Sequence, residues 1–409
     1  MKLILSILLC LLLFISCKKS SSPNSTVTTT MGNDSTLSPT GVTKSNPQKV
    51  YVHYMPWFDD SLTSGTGKWG WHWTMNNQDP SIIQANGRRQ IASWFYPMIG
   101  PYASSDPDVI DYHLMLMKYS GIDGIIVDWY GMHNVYDYLN IKRNTDSIFS
   151  QVAGAGIQFG ICYEDATLPN DKAVAGIDTI TAAQQDLTYL QSNYFVSKNY
   201  ITVNNDPLLL CFGPQGMMQP SDWTSAFSVL TTPPFFLTLQ DHQSLAGNNA
   251  SGSFAWVESS NTTNLQNFYS ANVPATSFGS AYPGFKDFYA QGNAGTTLFL
   301  IDYTNTLQNT LTLSQTNNAK YIQIITWNDY GEGTMIEPTL DYNFSSLQTI
   351  QQYTGVSYGL TELQLIYKWY TLRKKYKSNA ATEQQLTQAY AYLAALKLTQ
   401  AHAILDPLN

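Results

Sequence analysis

The stretch DPDVIDYHLMLMKYSGIDGIIVDWYG, residues 106–131, joins a helical pattern directly to a strand pattern. Pro107 suits a first helical turn and Gly121 suits a C-cap, which predicts a helix over 106–121. Residues 122–131 then form a short run rich in β-branched and aromatic residues, which predicts a buried strand. A helix that leads into a strand in this way is typical of an α/β fold.

Seven further strand-like runs lie on either side of this unit. They cover residues 50–57, 157–165, 207–213, 234–240, 253–258, 273–279 and 321–329. Eight strands with intervening helices predict a single (β/α)8 barrel, and a doubly wound open sheet is the alternative. The apolar stretch 91–100 then belongs to a long excursion after the first strand. Segments 360–377 and 382–404 are predicted to be helices that pack outside the barrel.

The N-terminal residues predict export and anchoring to a bacterial cell envelope. Lys2 precedes an apolar run of the right length for a secretory signal and too short for a membrane-spanning helix. The run ends in LFISC, which resembles a bacterial lipobox, so Cys17 is predicted to carry a lipid anchor; an ordinary signal or membrane anchor with an incidental cysteine is the alternative. The predicted divisions are a signal peptide over 1–16, a lipidated cysteine with a flexible polar linker over 17–47, and the barrel with its C-terminal helices over 48–409.

Composition and motif searches exclude several classes of function. The chain has 29 acidic against 21 basic residues, which argues against a nucleic-acid partner. Cys162 and Cys211 lie inside apolar runs and are predicted to be buried thiols and not a disulfide. The six histidines lack the spacings of a zinc site, and there is no G-x-S-x-G elbow, so no metal, cofactor or serine nucleophile is predicted.

Acidic and aromatic residues collect where the predicted strands end. In a (β/α)8 barrel the active site lies at the carboxyl ends of the strands. The residues at these ends are Tyr54, Trp57, Asp128, Trp129, Glu164, Asp165, Glu258, Asp329 and Glu332. Glycoside hydrolysis needs such a set, because one carboxylic acid protonates the leaving oxygen and a second carboxylate acts as base or nucleophile. His72 lies among tryptophans in KWGWHWT (68–74) and either lines a sugar subsite or is structural.

Five segments resemble glycoside hydrolase family 99, the endo-α-mannosidases and endo-α-mannanases. They are YVHYMPWF (51–58), WGWHWT (69–74), residues 96–131, YPGF (282–285) and WNDYGEGTMIEP (327–338). When this motif is aligned with that of the family, the resemblance implies that Asp329 is the base and Glu332 the general acid. It implies hydrolysis of α-mannan with net retention through a 1,2-anhydro sugar, which needs no cofactor.

The resemblance also implies binding residues for the polysaccharide. Trp129 would stack on a sugar, Tyr54 and Tyr282 would line the pocket, and Glu164 would bind a hydroxyl group. Trp57 and His72 are added as substrate-binding candidates from their place after the first strand. Glu337, directly before Pro338, is a further binding candidate, or else binds backbone amides or a neighbouring arginine.

One position departs from the family pattern. Asp329 stands where the family has glutamate, and a base misplaced by about 1 Å can cost about 100-fold in rate. The motif WNDYGE is instead similar to that of glycoside hydrolase family 71, the endo-α-1,3-glucanases, so a glucanase of that type is an alternative. A glycan-binding lipoprotein without catalytic activity is the other alternative.

Overall fold

Eight parallel strands close into a barrel over the residues that the computed structural model describes, 37–271 and 276–408. Each strand pairs with the next, and the last pairs with the first, with Lys49 opposite Tyr321. The (β/α)8 prediction is therefore confirmed and the open sheet is wrong. The strands are β1 Lys49–Tyr54, β2 Gly124–Trp129, β3 Gln158–Tyr163, β4 Asp206–Cys211, β5 Phe235–Leu239, β6 Gly252–Phe254, β7 Phe278–Ala281 and β8 Tyr321–Ile324.

Helices surround the barrel and extend past its last strand. Asp106 caps the predicted helix after the first excursion by accepting the N–H of Asp108, and the stretch 91–100 forms no regular strand. The predicted helix 382–404 is split, because Leu396 has a left-handed backbone with φ 58°. The helices are α1 Trp71–Thr74, α2 Pro107–Tyr119, α3 Tyr138–Ala155, α4 Leu168–Asn170, α5 Thr179–Leu190, α6 Pro220–Phe227, α7 Gln243–Ala246, α8 Thr262–Ser270, α9 Thr306–Thr316, α10 Ser345–Thr354, α11 Leu360–Lys375, α12 Ala380–Ala394 and α13 Leu398–Leu405.

The eight predicted strands all differ from the structure by a few residues at their ends, and the seventh and eighth differ most. The seventh lies later than 273–279, and residues 273–275 fall outside the described part of the chain. The eighth stops at Ile324, because the backbone then folds back on itself: the N–H of Thr326 donates to Thr334 O, and that of Glu337 donates to Trp327 O at 2.8 Å. A compact loop, 325–338, therefore covers the carboxyl end of β8.

The segment before β1 belongs to the folded unit. The N–H of Thr40 donates to Ala394 O at 3.0 Å, and the Lys44 ammonium pairs with Asp123, which precedes β2. The fold therefore begins ahead of the predicted boundary at residue 48. Cys17 and the predicted signal lie outside the described residues. Within the described residues no helix combines the length and the apolar composition that crossing a membrane requires.

Candidate active site

Four carboxyl groups lie close together at the carboxyl end of the barrel. Asp128 comes from the end of β2, Glu164 directly follows β3, and Asp329 and Glu332 come from the loop 325–338. Asp128 and Asp329 are buried, whereas Glu164 and Glu332 are partly exposed at the mouth. Asp128 and Glu164 hydrogen-bond to each other, and the charge of Asp329 acts on both Asp128 and Glu332. The cluster is therefore a single electrostatic unit. We call these four residues the acid cluster.

The environment holds the pKa values in this cluster apart. Burial raises the pKa of Glu332 well above its usual range, and the neighbouring Asp329 charge raises it further. Burial also raises the pKa of Asp329, but only to about 6, because the backbone N–H of Glu332 and the nearby His72 favour its ionised form. Near neutral pH, Asp329 is thus available as a base while Glu332 keeps its proton as an acid.

Hydrogen bonds within and beside the loop fix these two side chains. The N–H of Asp329 donates to Thr326 Oγ1 at 2.8 Å, and the Asp329 carboxylate accepts the N–H of Glu332 at 2.9 Å. The Tyr289 hydroxyl donates to Glu332 Oε1 at 3.3 Å. Tyr289 was missed by the sequence reasoning because it lies in a long excursion after β7 and not at a strand end.

An aromatic groove of about 780 Å³ opens beside the acid cluster. The Trp57 ring stacks on the His72 imidazole with centroids 4.1 Å apart and planes 6° apart, so these two binding candidates lie together. The ring centroids of Tyr130 and Trp57 lie 6.3 Å apart. The charges of Asp128 and Glu164 help to raise the pKa of the Tyr130 hydroxyl. Two residues that line the groove, His72 and Tyr130, therefore lie near the acid cluster, and the groove is large enough for sugar rings.

Trp129 does not reach this groove. Its side chain is fully buried and lies between the barrel and α5, near-parallel to Tyr189 at 6.1 Å and close to Tyr163. Successive side chains of a strand point to opposite faces, so the inward and outward positions alternate. The predicted sugar-stacking role does not fit this position. The ring that borders the groove from this strand end is Tyr130, one residue further on.

Tyr54 and Glu337 lie in a buried network beneath the mouth. The Tyr54 hydroxyl bonds with His113 Nδ1 at 2.9 Å, and His113 Nε2 lies 3.1 Å from Glu337 Oε1. The Tyr102 hydroxyl donates to Glu337 Oε2 at 2.8 Å and accepts the amide N–H of Asn328 at 3.1 Å. This network supports the residue directly before Asp329, and it leaves neither Tyr54 nor Glu337 open to a sugar.

Tyr282 and Glu258 lie together on the other side of the mouth, after β7 and β6. Tyr282 is fully buried among apolar side chains, and the nearby Glu258 charge acts on its hydroxyl. Glu258 is exposed and accepts the Gln240 amide N–H at 2.6 Å. Trp256 is partly exposed, unlike Tyr282, and its ring lies edge-on to His53 with centroids 4.8 Å apart.

Asp165 is turned away from the acid cluster although it follows Glu164 directly. Its buried carboxylate accepts the backbone N–H groups of Gln215, Gly216 and Met217 at 2.8–3.0 Å. It therefore holds the loop after β4 in place. The sequence alone could not distinguish Glu164 from Asp165, because consecutive residues at a strand end differ only in the direction in which their side chains point.

Substitution of Asp165 by asparagine is expected to lower the free energy of unfolding by about 3 kcal/mol. The amide keeps one acceptor oxygen and introduces an N–H₂ group that faces backbone donors. Urea unfolding followed by circular dichroism measures the change. The matched control is Asp241→Asn at an exposed position, expected to be neutral; equal midpoints for the two variants would contradict the assigned role.

Comparisons with known proteins were made by sequence and by structure. No family model matches the chain. A stretch of 88 residues is 30% identical to a glycoprotein endo-alpha-1,2-mannosidase-like protein of Danio rerio, and one of 92 residues is 32% identical to the glycoprotein endo-alpha-1,2-mannosidase of Rattus norvegicus. Each match covers 20% of this chain and 20% of the relative, so the chain spans about a fifth of the length of the curated relatives it matches.

Solved structures are similar over a much longer part of the chain. The GH99 endo-alpha-mannosidase from Bacteroides thetaiotaomicron, in complex with BIS-TRIS-propane, matches 79% of this chain and 98% of its own, with a TM-score of 0.57 and 18% identity. A glycoside hydrolase-like protein matches with a TM-score of 0.55 and 13% identity, over 78% of this chain and 98% of its own. The chain therefore shares the (β/α)8 fold of these proteins, and the resemblance to glycoside hydrolase family 99 indicated by its sequence is confirmed.

Proposed function

We propose that the protein is a glycoside hydrolase that cleaves α-linked mannan, with Glu332 as general acid and Asp329 as base. The observation that carries the proposal is the pairing of these two carboxyl groups on one loop, with Asp329 at a pKa of about 6 and Glu332 held protonated. The aromatic groove beside them offers surfaces for sugar rings. The names of the mannosidase relatives support a substrate with α-linked mannose.

The proposed reaction has two steps that use the same two groups. Glu332 gives its proton to the leaving glycosidic oxygen while Asp329 removes the proton of the 2-hydroxyl, whose oxygen closes onto the anomeric carbon of its own ring. Water then opens this 1,2-anhydro sugar: Glu332 accepts a proton from the water, and Asp329 returns its proton to O2. Two inversions at the anomeric carbon give net retention.

Stereochemistry favours mannan over glucan for this route. In an α-mannoside the 2-oxygen and the leaving oxygen lie on opposite faces of the ring, so O2 can displace the leaving group from behind. In an α-glucoside they lie on the same face, and that displacement is blocked. A chain that acts on α-1,3-glucan would therefore need a different use of its carboxyl groups.

The experiment is to incubate the purified protein with α-mannans and α-1,3-glucans. Products are separated by chromatography and the first anomer released is identified by NMR. We expect mannan cleavage with retention, and no cleavage when the 2-hydroxyl of the reacting mannose is methylated. Glucan cleavage would replace the proposed substrate, while tight binding without products would identify a glycan-binding protein.

The pH dependence of kcat/KM tests the two assigned roles. Activity requires ionised Asp329, so kcat/KM is expected to rise with pH through about 6 and to fall at higher pH, where Glu332 loses its proton. Initial rates between pH 4 and about 9 measure the profile, and Asp241→Asn should leave it unchanged. A profile that is flat across pH 5–7 would contradict Asp329 as the titrating base.

For the location, we propose a lipid anchor at Cys17 in a bacterial cell envelope. The segment LFISC directly before a polar stretch supports it. Expression in a bacterial host with an alkyne-labelled fatty acid tests the proposal. The wild type should take up label and Cys17→Ala should not; label retained by the variant would contradict the anchor.

A further inference from the structure

Three polar side chains converge on the outer side of β2 and β3, separate from the acid cluster. His133 comes from the loop after β2, Asp171 from the segment after α4, and Asp186 from α5. Their exposed fractions are 8%, 0% and 0%. One nitrogen of the imidazole and one oxygen of each carboxyl all lie within 4.8 Å of one another. The three side chains therefore face a common point inside the protein.

Two of these side chains have polar atoms without a hydrogen-bond partner, although His133 Nε2 lies 3.7 Å from Oδ1 of Asp186. Neither carboxyl oxygen of Asp171, nor Nε2 of His133, has a hydrogen-bond partner among the described residues. Asp186 is held differently: the Tyr163 hydroxyl donates to one oxygen at 2.6 Å and the Met132 N–H donates to the other at 2.9 Å. Buried polar atoms are nearly always paired, so unpaired atoms that face one point indicate a bound group that is not part of the chain.

We propose that His133, Asp171 and Asp186 bind a divalent transition-metal ion of the Zn²⁺ kind. Zinc accepts imidazole nitrogen together with carboxylate oxygen, whereas Ca²⁺ and Mg²⁺ prefer oxygen ligands alone. Three atoms within 4.8 Å of one another leave a point at most about 2.8 Å from each, so movements below about 1 Å bring them to bonding distance. The Tyr163 hydroxyl and the Met132 N–H already orient Asp186, as partners of metal ligands do.

The ion would connect the loop after β2 to the elements that follow β3. That loop also supplies Tyr136 and Asp137 to the aromatic groove, so the metal would fix one wall of the groove. The inference is independent of the proposed hydrolase activity. Motif searches do not detect the site, because its ligands come from three separate elements and have none of the short spacings that such searches use.

The experiment measures zinc binding by the whole protein. Protein stripped with a chelator is given Zn²⁺, and the metal that stays bound through gel filtration is measured by mass spectrometry. We expect one zinc per chain, and an unfolding temperature about 3 °C higher at about a hundredfold excess over Kd. Asp171→Asn should lose both effects, whereas Asp241→Asn should keep them.

A second control separates this site from the barrel interior. His53, Asp128 and Cys162 also lie close together there, so Asp128→Asn is included and should retain the zinc. Wild-type protein that retains no zinc and gains no stability would overturn the proposal. Zinc retained by Asp171→Asn but lost from Asp128→Asn would also overturn it, as would stabilisation by Ca²⁺ and not by Zn²⁺.

Discussion

Replacing Glu332 by glutamine should lower kcat on mannan by about a thousandfold, because the amide cannot give a proton to the leaving oxygen. Replacing Asp329 by asparagine should cause a loss of similar size, since the 2-hydroxyl then keeps its proton. Both substitutions nearly preserve side-chain shape. Steady-state rates with a defined α-mannan oligosaccharide measure the losses.

The two roles are distinguished by changing the leaving group. The fluoride ion of an α-mannosyl fluoride leaves without needing a proton. Glu332→Gln should therefore regain most of the wild-type rate on this substrate. Asp329→Asn should stay slow, because the 2-hydroxyl must still be deprotonated. Asp241→Asn serves as the charge-matched control and should match the wild type on both substrates. Equal recovery of the two active-site variants would contradict the assignment, and full activity of either one on mannan would remove that residue from the mechanism.

Replacing Glu337 by alanine should lower the free energy of unfolding by about 3 kcal/mol or more. The change removes the acceptor of the Tyr102 hydroxyl and the partner of His113 in a region that water does not reach. Glu337→Gln should cost less, because its carbonyl oxygen still accepts the Tyr102 hydroxyl. Urea unfolding measures both changes.

The control for this prediction is Glu258→Ala, the same substitution at an exposed position. We expect it to change stability by less than about 0.5 kcal/mol. If Glu337→Ala unfolds at the wild-type midpoint yet weakens sugar binding, Glu337 contacts the ligand directly and the original sequence prediction is right. If it destabilises the chain and Glu258→Ala does not, the buried role is supported.

The barrel could be predicted because each of its units carries local signals. The helix with Pro107 near its start and Gly121 just past its end, followed by an apolar run, needs no distant contact to be recognised. The clustering of Glu164, Asp329 and Glu332 followed from the fold, because all barrel strands end at the same mouth.

Side-chain direction at the strand ends could not be predicted in the same way. Barrel strands are buried on both faces, so Trp129 and its neighbours show no apolar and polar alternation that would separate inward from outward. The role of Glu337 was hidden for another reason. Its partner His113 is 224 residues earlier in the chain and lies on α2, so only the folded structure brings them together.

The acid cluster has a practical consequence for the choice of buffer and inhibitor. Asp329 ionises above about pH 6 and places a negative charge in the mouth, which attracts cations. Hydroxylated amines, which are both cationic and sugar-like in their hydrogen bonding, would compete with substrate there. Phosphate or carboxylate buffers avoid this competition, and a sugar mimic with a basic ring nitrogen would bind more tightly than the neutral sugar it copies.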